Sequence, residues 1–250
     1  MIRVVILFLI LINIQVSYAN YADSLFLDGN KHYSIQDYNG ALDMYEKLLG
    51  QGYEHSDLYY NLGNAYYQLG ELGNAIWAYE KGLILNPRDD DLNYNLSVAN
   101  ARIVDRIIIP EPFFVIKLYS SFRQIFSPTQ WLYLVSFLML LSSIFSTTRK
   151  IWVNHITRLM MSFSLIIFIF GLISLFIFVD VNYNLSKNES GVVIAKEGKV
   201  YSAPSKSSNL LFVVHEGTKA KISNRENPWA EIQLIDGKKG WLSLKHLRLL

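Results

Sequence analysis

Residues 57–65 read Asp57-Leu58-Tyr59-Tyr60-Asn61-Leu62-Gly63-Asn64-Ala65, and 34 positions on the chain reads Asp91-Leu92-Asn93-Tyr94-Asn95-Leu96-Ser97-Val98-Ala99. The same offset carries Gly29-Asn30 onto Gly63-Asn64, Ala41 onto Ala75, and Tyr45-Glu46-Lys47 onto Tyr79-Glu80-Lys81. A helical unit that recurs at this period reads as a solenoid of paired helices, here in three copies with the last truncated. Stacked helical hairpins usually grip other polypeptides and carry no chemistry, so the first expectation is a binding protein.

The first pair spans Asp23 to Leu49, with a turn expected at Asp37-Tyr38-Asn39-Gly40. The next spans Ser56 to Leu85, breaks at Leu69-Gly70-Glu71 and stops at Asn86-Pro87, because proline cannot donate to the helix ladder. Asp89, Asp90 and Asp91 then cap a third helix that runs towards Val104. Tyr59, Leu62, Gly63, Tyr66, Ala75, Tyr79 and Pro87 sit where the tetratricopeptide pattern places its diagnostic residues. Leu25, Gly29, Ala41 and Tyr45 fit the same pattern one copy earlier, although His32 replaces an aromatic and Tyr53 the proline. Residues 20–104 therefore resemble a tetratricopeptide domain of two repeats plus a capping helix. The resemblance implies that Gly and Ala let paired helices approach while the aromatics fill the space between hairpins.

The chain has 250 residues, a hydrophobic share of 51% and a net charge of only +2, so it carries no nucleic-acid footprint. It has no cysteine, which excludes disulfides, thiol nucleophiles and thiolate metal sites. Arg3, an apolar Val4–Ile12 run and Ser17-Tyr18-Ala19 read as a signal peptide over residues 1–19. Ser127-Pro128 opens an apolar stretch over 127–146, long enough to cross a hydrocarbon core that needs about 20 residues. Residues 159–179 form a second and stronger span. The loop at 147–158 holds Arg149, Lys150 and Arg158 with no acid, which places it in the cytoplasm. The repeats and the C-terminal region are then expected outside, on the periplasmic side.

Between the repeats and the first span, residues 105–126 read as a linker followed by an amphipathic interfacial helix. Ile107-Ile108-Ile109-Pro110-Glu111-Pro112 is expected to be extended, and Phe113 to Phe126 mixes apolar residues with Lys117 and Arg123. A helix packed on the solenoid is the alternative. Residues 180–189 read as a polar tether. From residue 190 to 250 the period becomes two, with five or six short strands separated by turn signals, the first at Lys196-Glu197-Gly198, which implies a small barrel. Ala203-Pro204-Ser205, His215-Glu216-Gly217-Thr218, Trp229, Asp236-Gly237 and Gly240-Trp241-Leu242 are similar to a bacterial SH3-like domain. In that pattern Gly217, Trp229, Gly240 and Trp241 are structural, with Gly240 permitting a tight bend and Trp241 buried.

No catalytic constellation is legible. His215-Glu216 begins like a zinc-protease helix, but position 219 is Lys and the segment is β-patterned. The five histidines lie apart without ligand spacing, so neither metal nor cofactor is expected. A binding surface is easier to place. Asn30, Asn61, Asn64 and Asn95 fall on first helices of successive units, on the face that lines the concave side in the tetratricopeptide family. Asparagine amides both donate to and accept from an extended peptide backbone. The alternative is that they only hydrogen-bond between helices. Phe26 and Asp91 stand where clamps for a C-terminal carboxylate would add cations, so that ligand is not expected.

The expected fold is that of a multidomain membrane protein: an all-α tetratricopeptide helical-hairpin solenoid, a transmembrane helical hairpin and a C-terminal all-β SH3-like barrel. This order of segments resembles the aerotolerance-operon family called BatE. The resemblance implies an inner-membrane, non-enzymatic scaffold in envelope maintenance or stress. It further implies that the scaffold works with von Willebrand A-domain membrane proteins and, indirectly, a MoxR-type ATPase. Other expected contacts are membrane lipid and no nucleic acid. The rival expectation is a membrane anchor that binds peptidoglycan through the SH3-like domain.

Overall fold

The computed structural model describes residues 21–105, 113–148, 155–187 and 189–250. They form two compact units: the helical repeats with the all-β segment, and the helices that lie between them in sequence. The expected signal peptide, the Ile107–Pro112 stretch, and Arg149 and Lys150 of the basic loop lie outside the described residues.

In the first unit, helix α1 covers residues 21–34 and is followed by α2 (Tyr38–Gly50), α3 (Ser56–Gln68), α4 (Leu72–Leu85) and α5 (Asp90–Asn100). Short polar side chains start α2 and α5. Asp37 Oδ1 accepts from Gly40 N at 3.0 Å, and Asp89 Oδ1 accepts from Leu92 N at 3.0 Å. The Asp37–Gly40 segment is thus a cap and the first turn of α2, not the expected turn between helices. Helix α5 stops at Asn100, short of Val104.

Helix α3 ends in a Schellman motif: Gly70 N donates to Tyr67 O (3.1 Å) and Glu71 N to Tyr66 O (2.9 Å), with Gly70 at φ +76°. The copy 34 residues earlier has the same bonds, Gln36 N to Tyr33 O (3.0 Å) and Asp37 N to His32 O (2.9 Å). There, however, the left-handed position at φ +65° is held by Gln36, whose Cβ is crowded in that conformation.

Packing repeats with the same period. A Cβ on Gly29 would overlap the Tyr45 ring, and one on Gly63 would overlap the Tyr79 ring. Ala41 and Ala75 are fully buried, as are Tyr45 and Tyr79 to within 1%. The small residues therefore mark where each tyrosine presses on the opposite helix of its hairpin.

The all-β segment holds seven strands: β1 (Ser190–Val193), β2 (Glu197–Tyr201), β3 (Leu210–His215), β4 (Lys219–Glu226), β5 (Trp229–Gln233), β6 (Lys239–Ser243) and β7 (Leu247–Leu249). They form one antiparallel sheet in the order β3-β2-β6-β5-β4-β1-β7. Alternation sets its inner face: Ala220 and Ile222, Ala230 and Ile232, with Val193, Val200, Val214, Leu242 and Leu247. The sheet is open, with β3 and β7 at its edges, so hydrogen bonding does not close the expected barrel. Two further differences follow from local pairing. Glu197-Gly198, expected as a turn, belongs to β2 because it pairs with Val214 and His215. Strand β7, not anticipated, pairs with β1 from Gly191↔Leu249 to Val193↔Leu247.

The second unit contains α6 (Phe114–Arg123), α7 (Pro128–Thr148) and α8 (His155–Lys187). Ser127 and Gln130 form a capping box at the start of α7: Gln130 N donates to Ser127 Oγ (3.3 Å) and Ser127 N to Gln130 Oε1 (3.0 Å). Pro128–Thr147 and Met161–Tyr183 are long and apolar enough to cross a membrane. They pack antiparallel, with Trp131 against Ile177 and Val181 at one end. Farther along, Ser142 and Ser164 each donate a hydroxyl to the other's carbonyl at 3.0 Å. The expected tether is instead largely the end of α8, since residues 180–187 contain neither Pro nor Gly and Asn182 Nδ2 donates to Phe178 O.

Replacing Gln36 by Gly should stabilise the repeats by about 0.5–1 kcal/mol, the left-handed penalty less the entropy of glycine. Gly63→Ala should cost about 1–3 kcal/mol by overpacking against Tyr79. Urea unfolding of the detergent-solubilised full chain, followed by helix ellipticity, reads both, and equal midpoints would contradict the packing described.

Candidate functional site

The four asparagines form two identical relays. Asn30 Oδ1 accepts from Tyr45 Oη (2.7 Å) and from Asn61 Nδ2 (2.9 Å). Asn64 Oδ1 accepts from Tyr79 Oη (2.8 Å) and from Asn95 Nδ2 (2.8 Å). Burial pushes the Tyr45 and Tyr79 hydroxyls well above the usual phenol range, so both stay protonated donors. Each relay joins the two helices of a hairpin to the first helix of the next unit.

These bonds fix which way each amide points. Both oxygen lone-pair positions of Asn64 are taken, so its Nδ2 group is left to donate. The Nδ2 of Asn95 is taken, so its Oδ1 is left to accept. Among the described residues nothing takes up either group. Asn30 and Asn61 repeat the same donor and acceptor one unit earlier. Asn64 and Asn95 line a cavity of about 260 Å³ with Tyr33, Tyr60, Tyr67 and Gln68. No charged side chain lines that cavity, and Arg102 stacks on the Tyr67 ring with its guanidinium 5.0 Å from the centroid. Phe26 lies away from it, against Tyr45 at 6.1 Å between centroids. Asp91 is exposed at the start of α5. The site is thus an uncharged, tyrosine-walled groove with a donor and an acceptor at its base.

The β domain packs on another stripe of the repeats. Gly73, Ile76, Trp77 and Glu80, at helical spacing on α4, all meet it. At the centre Arg248 of β7 lies over the Trp77 ring, 3.5 Å from its centroid. Its guanidinium donates to Glu46 Oε1 (2.8 Å), Tyr66 Oη (3.0 Å) and Asn74 Oδ1 (3.3 Å), while Tyr66 donates to Glu46. One side chain therefore ties α2, α3 and α4 to the last strand. Beside it Trp77 Nε1 donates to Leu249 O at 2.6 Å, and a Cβ on Gly73 would strike Val193 O.

A second cluster lies just beyond α5. Asp105 accepts from His215 N (2.7 Å), His215 Nδ1 (2.9 Å) and Thr218 Oγ1 (2.9 Å). Burial alone would raise its carboxyl pKa, but these three donors outweigh it and hold the group below the ordinary carboxylate range. Gly217, at φ +85°, turns the chain between these donors against Ile76 and Ile103. Lys196 Nζ reaches Gly70 O at 3.1 Å, and Lys219 pairs with Glu80 at 2.7 Å. These last two are exposed at the lysine and contribute little.

The remaining residues singled out from the sequence are structural in position. Pro87 sits in the turn before α5. Trp241 is buried at 9% exposure, whereas Trp229 is half-buried, edge-on to Tyr201 at 5.7 Å. Gly240 lies within β6, where a Cβ would come within 2.9 Å of Tyr201 O, so it serves a close strand approach, not a bend. Arg248, Trp77, Glu46 and Asp105 were not legible as a cluster. The Leu-Arg-Leu alternation at 247–249 is a strand signal, but nothing local names its partner.

A carboxyl with a lowered folded-state pKa stabilises above its unfolded value, about 3.9, and loses that contribution as pH falls through the lowered one. Asp105→Asn should therefore lower the melting temperature at neutral pH. The gap to the parent chain should close on acidification below the ordinary carboxylate range. A gap that stays constant to low pH would show that the Asp105 charge is not what matters.

Comparison with known proteins accords with this division. Residues 56–89, covering α3 and α4, match the family model of the tetratricopeptide repeat. Residues 196–248, covering β2 to the middle of β7, match that of the bacterial SH3 domain. No curated protein matches the chain. The chain thus carries a tetratricopeptide repeat and a bacterial SH3 domain, joined in sequence by two helices apolar enough to span a membrane.

Proposed function

We propose that this chain is a non-enzymatic adaptor, held in the bacterial inner membrane, that grips an extended polypeptide on the periplasmic side. The observation that carries the reading is the pair of oriented amides at the base of the groove. Asn64 offers a donor and Asn95 an acceptor, matching the C=O and N–H of a peptide backbone, and Asn30 with Asn61 repeat the arrangement. A groove that reads backbone tolerates many sequences but favours one chain direction. Its lack of charged walls disfavours a ligand that depends on its terminal carboxylate.

Two spans return the chain to the face it left, so the repeat and β domains emerge on one side. The bonds from Arg248 and Asp105 between those domains support that reading. The resemblance of the segment order to the BatE family supports placing the adaptor in an envelope-maintenance or aerotolerance complex. Its proposed partners there are von Willebrand A-domain membrane proteins and, through them, a MoxR-type ATPase.

A second reading is favoured by the bacterial SH3 match, a domain type associated with cell-wall binding. On this reading peptidoglycan is the ligand, and the exposed Leu210, Leu211 and Val213 of edge strand β3 with half-buried Trp229 supply the surface.

The readings separate experimentally. A photo-crosslinking residue at Tyr60 or Tyr67 in intact membranes should trap a protein, and Asn64→Ala with Asn95→Ala should reduce the yield several-fold. Absence of any adduct at both positions, together with firm retention of the solubilised chain on purified sacculi, would overturn the adaptor reading in favour of the wall anchor.

A further inference from the structure

Helix α6 buries none of its residues. Phe114, Val115, Ile116, Leu118 and Phe122 are each more than half exposed, although α6 belongs to the same compact unit as α7 and α8. At 100° per residue, Phe114, Leu118 and Phe122 form one stripe flanked by Val115 and Ser121, while Ser120 and Ile116 lie opposite and Lys117 to one side. The hydroxyls of Ser120 and Ser121 are already satisfied, because both return to Lys117 O at 2.9 Å.

A third side of the helix is anchored. Tyr119 Oη donates to Asp180 Oδ2 at 2.9 Å, and Arg123 Nη1 approaches the same oxygen at 3.4 Å. Asp180 lies near the end of the Met161–Tyr183 apolar stretch of α8. The carbonyl of Arg123 in turn accepts from Trp131 Nε1 at 3.1 Å, and Trp131 packs edge-on to Phe126 and against Ile177. A carboxylate at the end of a span is costly unless paired, so these bonds set the depth of α6 relative to the apolar helices.

We propose that α6 is a lipid-docking helix. It lies in the headgroup–acyl boundary of the leaflet where α7 begins and α8 ends, with the Phe114–Leu118–Phe122 stripe in lipid. The occupant is the bilayer itself, because α6 shares one compact unit with the two exposed apolar helices and Asp180 ties it to the end of one of them. Lys117 faces the headgroups, and the Asp180–Arg123–Tyr119 cluster sits at the rim. This inference rests on the reading of α7 and α8 as membrane spans.

The chain has no cysteine, so single substitutions give unique spin-label sites. Labels at Lys117→Cys, Leu118→Cys, Ser120→Cys and Phe122→Cys are read in the full chain, reconstituted in phosphatidylethanolamine–phosphatidylglycerol vesicles. Phe170→Cys, on the exposed surface of α8, is the control. The proposal expects positions 118 and 122 to favour oxygen over a water-soluble nickel chelate several-fold, with 117 and 120 reversed. High chelate access at 118 and 122 would place α6 in water. Exclusion of both reagents there would place it against protein. Either result overturns the proposal while Phe170 still reads as lipid-exposed. A chelate-accessible Phe170 would instead overturn the membrane reading beneath it.

Discussion

The guanidinium of Arg248 is the point on which the soluble architecture depends. It satisfies Glu46 and Tyr66, reaches Asn74 and stacks on Trp77, so three helices of two successive hairpins meet the last strand at one side chain. Charge-assisted hydrogen bonds contribute about 1.5–3 kcal/mol each, and a partly desolvated cation–π contact adds about 0.5–2 kcal/mol. Lysine could not replace it, since only a planar fork serves several acceptors while lying flat on an indole. The helical stack has a core of its own, built on Tyr45, Leu62, Ile76, Tyr79 and Leu92. The β domain covers a stripe of α4 formed by Gly73, Ile76, Trp77 and Glu80.

This packing leaves the groove open. Tyr60, Asn64 and Tyr67 occupy one face of α3, whereas Tyr66 points to the β domain. The asparagines serve two ends at once: their bonded atoms hold adjacent hairpins in register, and the atoms left over form the polar floor of the groove. Interhelical bonding and the proposed ligand binding, which look like rival roles in the sequence, would use different atoms of the same amides.

What was legible in the sequence follows from range. The 34-residue copies, the Ser127-Pro128 cap and the apolar spans are encoded by neighbours within a few turns, and periodicity exposes them. Gln36 was harder. Its backbone conformation is visible only by analogy with Gly70 one copy later. The end of α8 was misread because polarity was equated with a loose tether, although no helix breaker lies between Asp180 and Lys187. The oriented amides needed coordinates, since a donor and an acceptor look alike in the letter N. The Arg248 and Asp105 clusters join residues more than a hundred positions apart, and no local signal ties them.

The central claim is that the repeat and β domains form one body locked by Arg248. Spin labels at Asp43→Cys in α2 and Gln233→Cys in β5, both exposed positions, allow their separation to be measured by pulsed dipolar spectroscopy on the full chain. One narrow distance distribution is predicted, broadening when Arg248 is replaced by Ala. A broad distribution with Arg248 intact, or a narrow one unchanged by its loss, would contradict the account.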